Sequence, residues 1–302
     1  MDNLATSGDA PEILDEDDSS RPLSRTHKKV LEVARSRFKV AVEAEKTIRE
    51  KSLKDKKFRA GDQWDEKDRS QRAIEGRPCL TINKIPGNVH QITNEQRQNR
   101  SSIKVNPVDD KGDVQTAEVL QGLVRHIEYN SNANVAYDSA FDEAVTGGRG
   151  YFRVITDYCH PMSFDQEILI KRIPNSFSVY LDPGYKEPDG SDANWGFVFE
   201  DISKDEYRAQ NKGSALSSMR EWQSVGDEMP GWADDERCRV AEYFTKTFKV
   251  ITIYQLPDGR VVQAKNIPHV WRKKKDQLKS RETVLPAIKW YKINAVEVLD
   301  EK

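Results

Sequence analysis

Between Ser24 and Lys57, Val30, Ala34, Phe38, Ala41, Ala44 and Ile48 recur three or four residues apart, which lays one apolar stripe along a long helix. Gly61-Asp62 ends that helix, and Asp65 to Glu75 reads as a brief charged one. A turn at Arg77-Pro78 follows, since the residue before proline is pushed out of the helical region. Ile82, Ile85, Val89 and Ile92 predict a third helix, with Asn83 as N-cap and Pro86 accommodated in the first turn. A short strand is expected from Ser101 to Val105. Helices at Asp113 to Tyr129 (striped by Val114, Ala117, Leu120, Val124 and Ile127) and Asn134 to Thr146 (Tyr137, Phe141 and Val145) flank the polar turn Asn130-Ser131-Asn132.

At Gly147-Gly148 the apolar period changes from about 3.6 to 2. Strands are predicted at Tyr151 to Tyr158, Glu167 to Ile173, Ser178 to Leu181, Trp195 to Asp201, Val240 to Phe248, Val250 to Leu256, Arg260 to Ala264 and Thr283 to Ile293. Pro257-Asp258-Gly259 supplies a hairpin turn. Helices followed by strands give an α+β fold with a mostly antiparallel sheet. The chain divides into an arm (1–23), a helical part (24–148) and a β-rich part (149–302), without internal repeats. The closing AVEVLDEK is strand-like with no terminating element, so the chain is expected to be cut off there.

Composition changes this picture in one respect. Hydrophobic residues are 36% and charged residues 32% of 302, more polar than a compact globular enzyme. The surplus charge belongs on long solvated helix faces or on surfaces that a partner covers. Residues 1–23 hold seven acids before the first base, Arg21, and too few apolar groups to offset ordering entropy, so a disordered acidic arm is expected. With 48 basic against 50 acidic residues the net charge is −2, which argues against a dedicated DNA-wrapping protein. Cys79, Cys159 and Cys238 are scattered and fit reduced thiols. The N-terminus lacks the basic and apolar regions of a signal peptide, and no window reaches the ~20 apolar residues of a membrane span. The expectation is a protein made and kept in the cytoplasm, with no membrane insertion.

The chemistry-bearing motifs are few. There is no GxxxxGK[ST] phosphate loop and no GxSxG elbow. TGGRGYF, with Gly147, Gly148 and Gly150, precedes a strand, whereas a dinucleotide loop follows one, so its glycines are expected at a helix-to-strand corner. The five histidines show no metal spacing, and Cys159-His160 would point to opposite faces of a strand. Asp157, Glu167 and Lys171 come nearest to a nuclease set, but Glu167 and Lys171 lie ~13 Å apart along a strand, too far for shared chemistry. No cofactor, metal or catalytic residue is assigned. Two basic features remain besides the long helix. Arg97, Arg100 and Lys104 are candidates for an inter-subunit or channel-side cluster, the alternative being that they complement a helix C-terminus. Within WRKKKDQLKSR, Arg272, Lys273, Lys274 and Lys275 form a candidate partner- or DNA-facing loop, or else a solvated one.

Five segments in order, FRAGDQW, GRPCLTINKIP, TNEQRQNR, AEVLQGLVRHIEYNSNANVAYDSAFDEAVTGGRGYFRV and NSFSVYLDP, give the chain a resemblance to the portal proteins of short-tailed bacteriophages, in their N-terminal, wing-containing part. The match covers Phe38 to Asp201 closely and the region to Lys302 more loosely. What the resemblance implies is a non-enzymatic virion protein, formed in the host cytoplasm, whose full-length relatives make a dodecameric ring around the DNA channel at one capsid vertex. It further implies a helical and β wing here, with stem and crown absent from this chain. The implied partners are other copies of itself, the terminase motor, capsid and scaffold proteins, tail adaptors and transient duplex DNA. The implied roles are genome packaging, head–tail joining and DNA ejection. A nucleic-acid-binding module using the basic helix and the 271–281 run is the alternative.

Overall fold

The computed structural model describes residues 24–100, 102–107, 113–214, 236–272 and 274–302; the acidic arm and Lys273 lie outside the described residues. Five helices come first: α1 (Arg25–Ala60), α2 (Glu66–Ile74), α3 (Ile85–Gln98), α4 (Val114–Asn130) and α5 (Ala133–Gly147). Then follow β1 (Phe152–Tyr158), β2 (Gln166–Arg172), β3 (Val179–Leu181), β4 (Trp195–Ser203), α6 (Lys204–Gln210), β5 (Arg237–Gln255), β6 (Val261–Gln263), α7 (His269–Arg272), β7 (Lys279–Ile293) and β8 (Val298–Glu301). The order β3-β4-β5-β7-β8 is antiparallel throughout, with β6 added to the far end of β5, while β1 and β2 make a separate hairpin. This is the expected α+β class.

α1 is set by its caps and its stripe. Ser24 Oγ accepts from Thr26 N, and Gly61, at φ 103°, supplies the left-handed C-cap that a β-carbon would strain. Ala34, Phe38 and Ala41 are sealed against one face of the large sheet. Phe38 meets Tyr180, Phe197 and Phe199 edge-on, with ring centroids 5.0, 5.8 and 5.2 Å away. Burying such a ring is worth roughly 1.5–3 kcal/mol. α5 packs beside α1, and Ala133, Ala136 and Ile170 join α5 to the β1–β2 hairpin.

Several expectations need correction. The α1 stripe does not continue through Ala44 and Ile48, which are exposed; Glu45, Arg49 and Ser52 are buried instead, because 3.6-residue spacing from Ala41 carries the inward face onto them. α3 begins after Lys84, and Asn83 sits one residue earlier, accepting from Ile85 N and Gln63 Nε2 while donating to the carbonyl of Arg59. On α4 the inward row runs through Ala117, Gln121 and Val124, which leaves Val114 and Leu120 exposed. Among the described residues, 102–105 pair with no strand. The strands expected at 240–248 and 250–256 are one continuous β5. α6 was not expected at all.

Candidate functional site

Part of the basic side of α1 is turned inward: Arg49 is buried and Arg35, Arg37, Lys56 and Arg59 are partly buried, while the other arginines and lysines from Arg25 to Lys57 are exposed. Arg49 is 6% exposed. Its Nε donates to Glu45 Oε2 at 2.8 Å, its terminal nitrogens donate to the carbonyls of Phe177 and Val179, and its guanidinium lies 3.5 Å from the centre of the Tyr180 ring. The second oxygen of Glu45 accepts from Arg149 at 2.6 Å. Burial works against the Arg149 charge, but Glu45 outweighs it and holds the guanidinium pKa above its ordinary value. Two turns further on, Lys56 donates to Glu143 and to Ser176 Oγ; then Arg59 grips Asp142 with two parallel bonds of 2.7 and 2.9 Å. α1 is thus fastened to α5 and to the entry of β3 by a ladder of ion pairs.

Of the sequence-predicted sites, Arg97 and Arg100 converge on one carboxylate, Asp138 Oδ2 of α5, at 3.3 and 2.9 Å. Lys104 is exposed and has no ion-pair partner among the described residues. The basic run forms α7 and a 3-10 turn, Lys275–Gln277, between β6 and β7; Arg272 Nε caps the carbonyl of Ile267, while Lys274 is exposed and Lys275 half-buried. Asp157 and Glu167 are direct cross-strand partners, and Lys171 Nζ reaches Asp157 Oδ2 at 3.7 Å. The lysine reaches diagonally across the hairpin to Asp157, while Glu167 and Lys171 stay four residues apart along β2 as expected. Glu167 is engaged by Asn130 at 2.7 Å, and among the described residues no group of three His, Cys, Asp or Glu is placed to hold a metal ion. Cys159 and His160 lie in the hairpin loop rather than on a strand, where His160 Nδ1 accepts from Met162 N.

The feature that sequence reading missed is the length of the β5–β7 pair. Fifteen residue pairs run in unbroken register from Ala241↔Ile293 to Gln255↔Lys279. β4 leaves β5 at Thr245, and β6 joins it only at Ile253, so the stretch between is a two-stranded ribbon. Its even-numbered face carries Phe248, Val250, Val284 and Ile288, 62, 66, 55 and 65% exposed. Towards the base this face runs into a shallow apolar hollow of about 190 Å³ lined in part by Leu181, Val198, Phe244 and Ile288. At the tip Leu256, Ile267 and Leu278 are buried. Two-stranded pairs are marginal in water unless something packs on them.

Two comparisons bear on what such a subunit is. The phage P22-like portal protein family matches residues 35–302. A protein named "Portal protein" from Acyrthosiphon pisum secondary endosymbiont phage 1 is 29% identical over 232 residues, which is 74% of this chain and 31% of that relative. The chain belongs to the P22-like portal family. Portal proteins are a structural family, not an enzyme family, and components of phage virions. The chain spans under a third of the length of the portal relative it matches. The matched region begins within α1 and takes in the whole sheet, so the ion ladder and the ribbon both belong to the portal-like part. No described helix is long and apolar enough to cross a membrane.

Proposed function

We propose that this chain is the wing of a portal subunit which, at full length, assembles with copies of itself into the ring that surrounds the DNA channel at a capsid vertex. The family match over residues 35–302 carries the reading. In it, the helical part (24–148) and the β-rich part (149–302) make up one wing, and the stem and crown belong to the rest of a full-length subunit. DNA packaging, head–tail joining and ejection are the roles of the whole ring, with the terminase motor, capsid and scaffold proteins and tail adaptors as its partners. Two properties of the structure support it. The ion ladder fastens α1, α5 and the sheet into one platform, which suits a subunit packed in a ring wall. The exposed apolar ribbon face suits a subunit that is covered on assembly better than one that stays free. The net charge of −2 suits a channel that DNA slides through without being held.

Negative-stain imaging of the natural full-length protein tests the reading: ring-shaped particles with a central hole are expected, and particles with no rotational order at high concentration would contradict it. The alternative nucleic-acid module loses part of its footing, because Arg49, Lys56 and Arg59 of the basic helix are engaged by carboxylates of α1 and α5.

A further inference from the structure

The path of α1 fixes where the acidic arm leaves the fold. His27 Nε2 lies 3.6 Å from Glu301 Oε1 of β8; Arg37 donates to Tyr243 and Thr245 of β5; and Arg49 reaches β3. The helix therefore crosses the sheet from the β8 edge to the β3 edge, on the face bearing the odd-numbered side chains of β5 and β7. Residue 24 emerges on that face at the edge where β8 pairs with β7.

Beyond Thr245 this face of the ribbon is uncovered by α1. Cross-strand pairing puts Lys289 beside Thr245, Lys249 beside Leu285, Arg281 beside Ile253 and Lys279 beside Gln255, all on this one face. All four cations are exposed, and none has an ion-pair partner among the described residues. The only acid of the paired stretch beyond Thr245, Glu282, has even parity and projects from the opposite face. The ribbon is thus apolar on one side and cationic on the other.

We propose that the acidic segment 1–23 docks along this cationic strip of its own chain. The charges are complementary: seven acids precede Arg21, four of them consecutive at Asp15, Glu16, Asp17 and Asp18. The reach suffices. Lys289 to Lys279 spans ~33 Å of strand, and Asp18 to Asp15 lie six to nine residues from Ser24, ~20–30 Å of extended chain. Tethering gives the arm an effective concentration on the order of millimolar at the strip, which favours it over a free polyanion. The strip is thereby kept from nucleic acid until something displaces the arm. The inference rests on the path of α1 and the strand register, and stands apart from the portal reading.

Zero-length carbodiimide crosslinking of the intact chain, with peptide mapping on an equal mixture of ¹⁴N- and ¹⁵N-labelled protein, tests it. Crosslinks from acids of 1–23 to Lys249, Lys279 or Lys289 within one isotopic chain are expected, falling at least fivefold between 50 and 500 mM NaCl. The variant D15N/E16Q/D17N/D18N should bind a 30-base-pair duplex about tenfold more tightly than the unaltered chain. Crosslinks spread over lysines elsewhere, crosslinks chiefly between isotopic chains, or equal duplex binding by both proteins would each overturn it; the second would mean that the arm serves a second copy, the third that the strip is open to DNA.

Discussion

Arg49 is buried with every direction of its guanidinium answered: a carboxylate on Nε, two backbone carbonyls on the terminal nitrogens and an aromatic ring below. Arg49→Met removes the charge but strands the carbonyls of Phe177 and Val179, and it shifts Glu45 wholly onto Arg149. Breaking a buried pair from one side costs about 3–5 kcal/mol, so the urea midpoint should fall by a corresponding amount. Arg49→Lys should recover little of this, since an ammonium lacks the planar fork. Tyr207 is the other buried polar side chain with a readable consequence. Its hydroxyl accepts from Asn294 Nδ2 at 2.7 Å, and Asn294 Oδ1 in turn takes the backbone N–H groups of Val296 and Glu297, which shapes the β7–β8 connection. Burial pushes the phenol up to about 12 from an ordinary value of 10.0. Below pH 10 both folded and unfolded chains hold this proton, so the group's full contribution is present. Between about pH 10 and 12 the unfolded chain releases the proton first, and stability falls as pH rises. Tyr207→Phe should lose about 1–3 kcal/mol at neutral pH and show a shallower alkaline decline in denaturation monitored by circular dichroism.

At the scale of elements, the corner between α5 and β1 is the most constrained joint. Gly148 takes the left-handed C-cap at φ 82°, while Gly150 is pressed onto α5, where a β-carbon would lie 1.7 Å from the carbonyl oxygen of Ala140. Gly150→Ala must push strand and helix apart and should cost about 1–3 kcal/mol or more in unfolding free energy, read from a denaturant titration. The sequence showed that corner, since the hydrophobic period changes there, but not that Gly150 serves closeness rather than freedom. Most elements were legible for the same reason of period. The failures have separate physical causes. β5 was split because Lys249 interrupts its apolar run, and on a ribbon bare on both faces no burial enforces alternation. α6 was missed because seven residues hold too few apolar positions for a period, although Ser203, whose Oγ accepts from Glu206 N, and Glu206 three residues on are the signal that could have found it. The ion ladder was hidden because positions 45, 49, 56 and 59 read as outward polar until Asp142, Glu143 and Arg149, which lie far along the chain, are brought beside them. Arg97 and Arg100 were picked out as a cluster, but nothing local named Asp138 as the acid that gathers them.

For the whole molecule, labour is divided between a platform and its borders. The interior of the described part is held by aromatic packing on one face of the sheet and by ion pairs along α1, neither of which needs a neighbour. Among the surfaces left over are the apolar ribbon face, the cationic strip and Lys104. Lys104→Glu separates assembly from folding better than reversing all three cations would, because Arg97 and Arg100 also tie α3 to α5. If that surface meets a neighbouring subunit, ring yield from the full-length protein should drop several-fold while stability stays within about 0.5 kcal/mol, as for an ordinary surface change. Unchanged ring yield would remove the site from the interface. The central claim, that the chain is the wing of a ring-forming portal subunit, meets its most direct test in light-scattering mass measurement of the natural full-length protein beside this chain. A single closed species near a dozen subunits for the full-length protein, with this chain of far lower order, is the predicted result. A folded monomer in both samples across the accessible concentration range would contradict it.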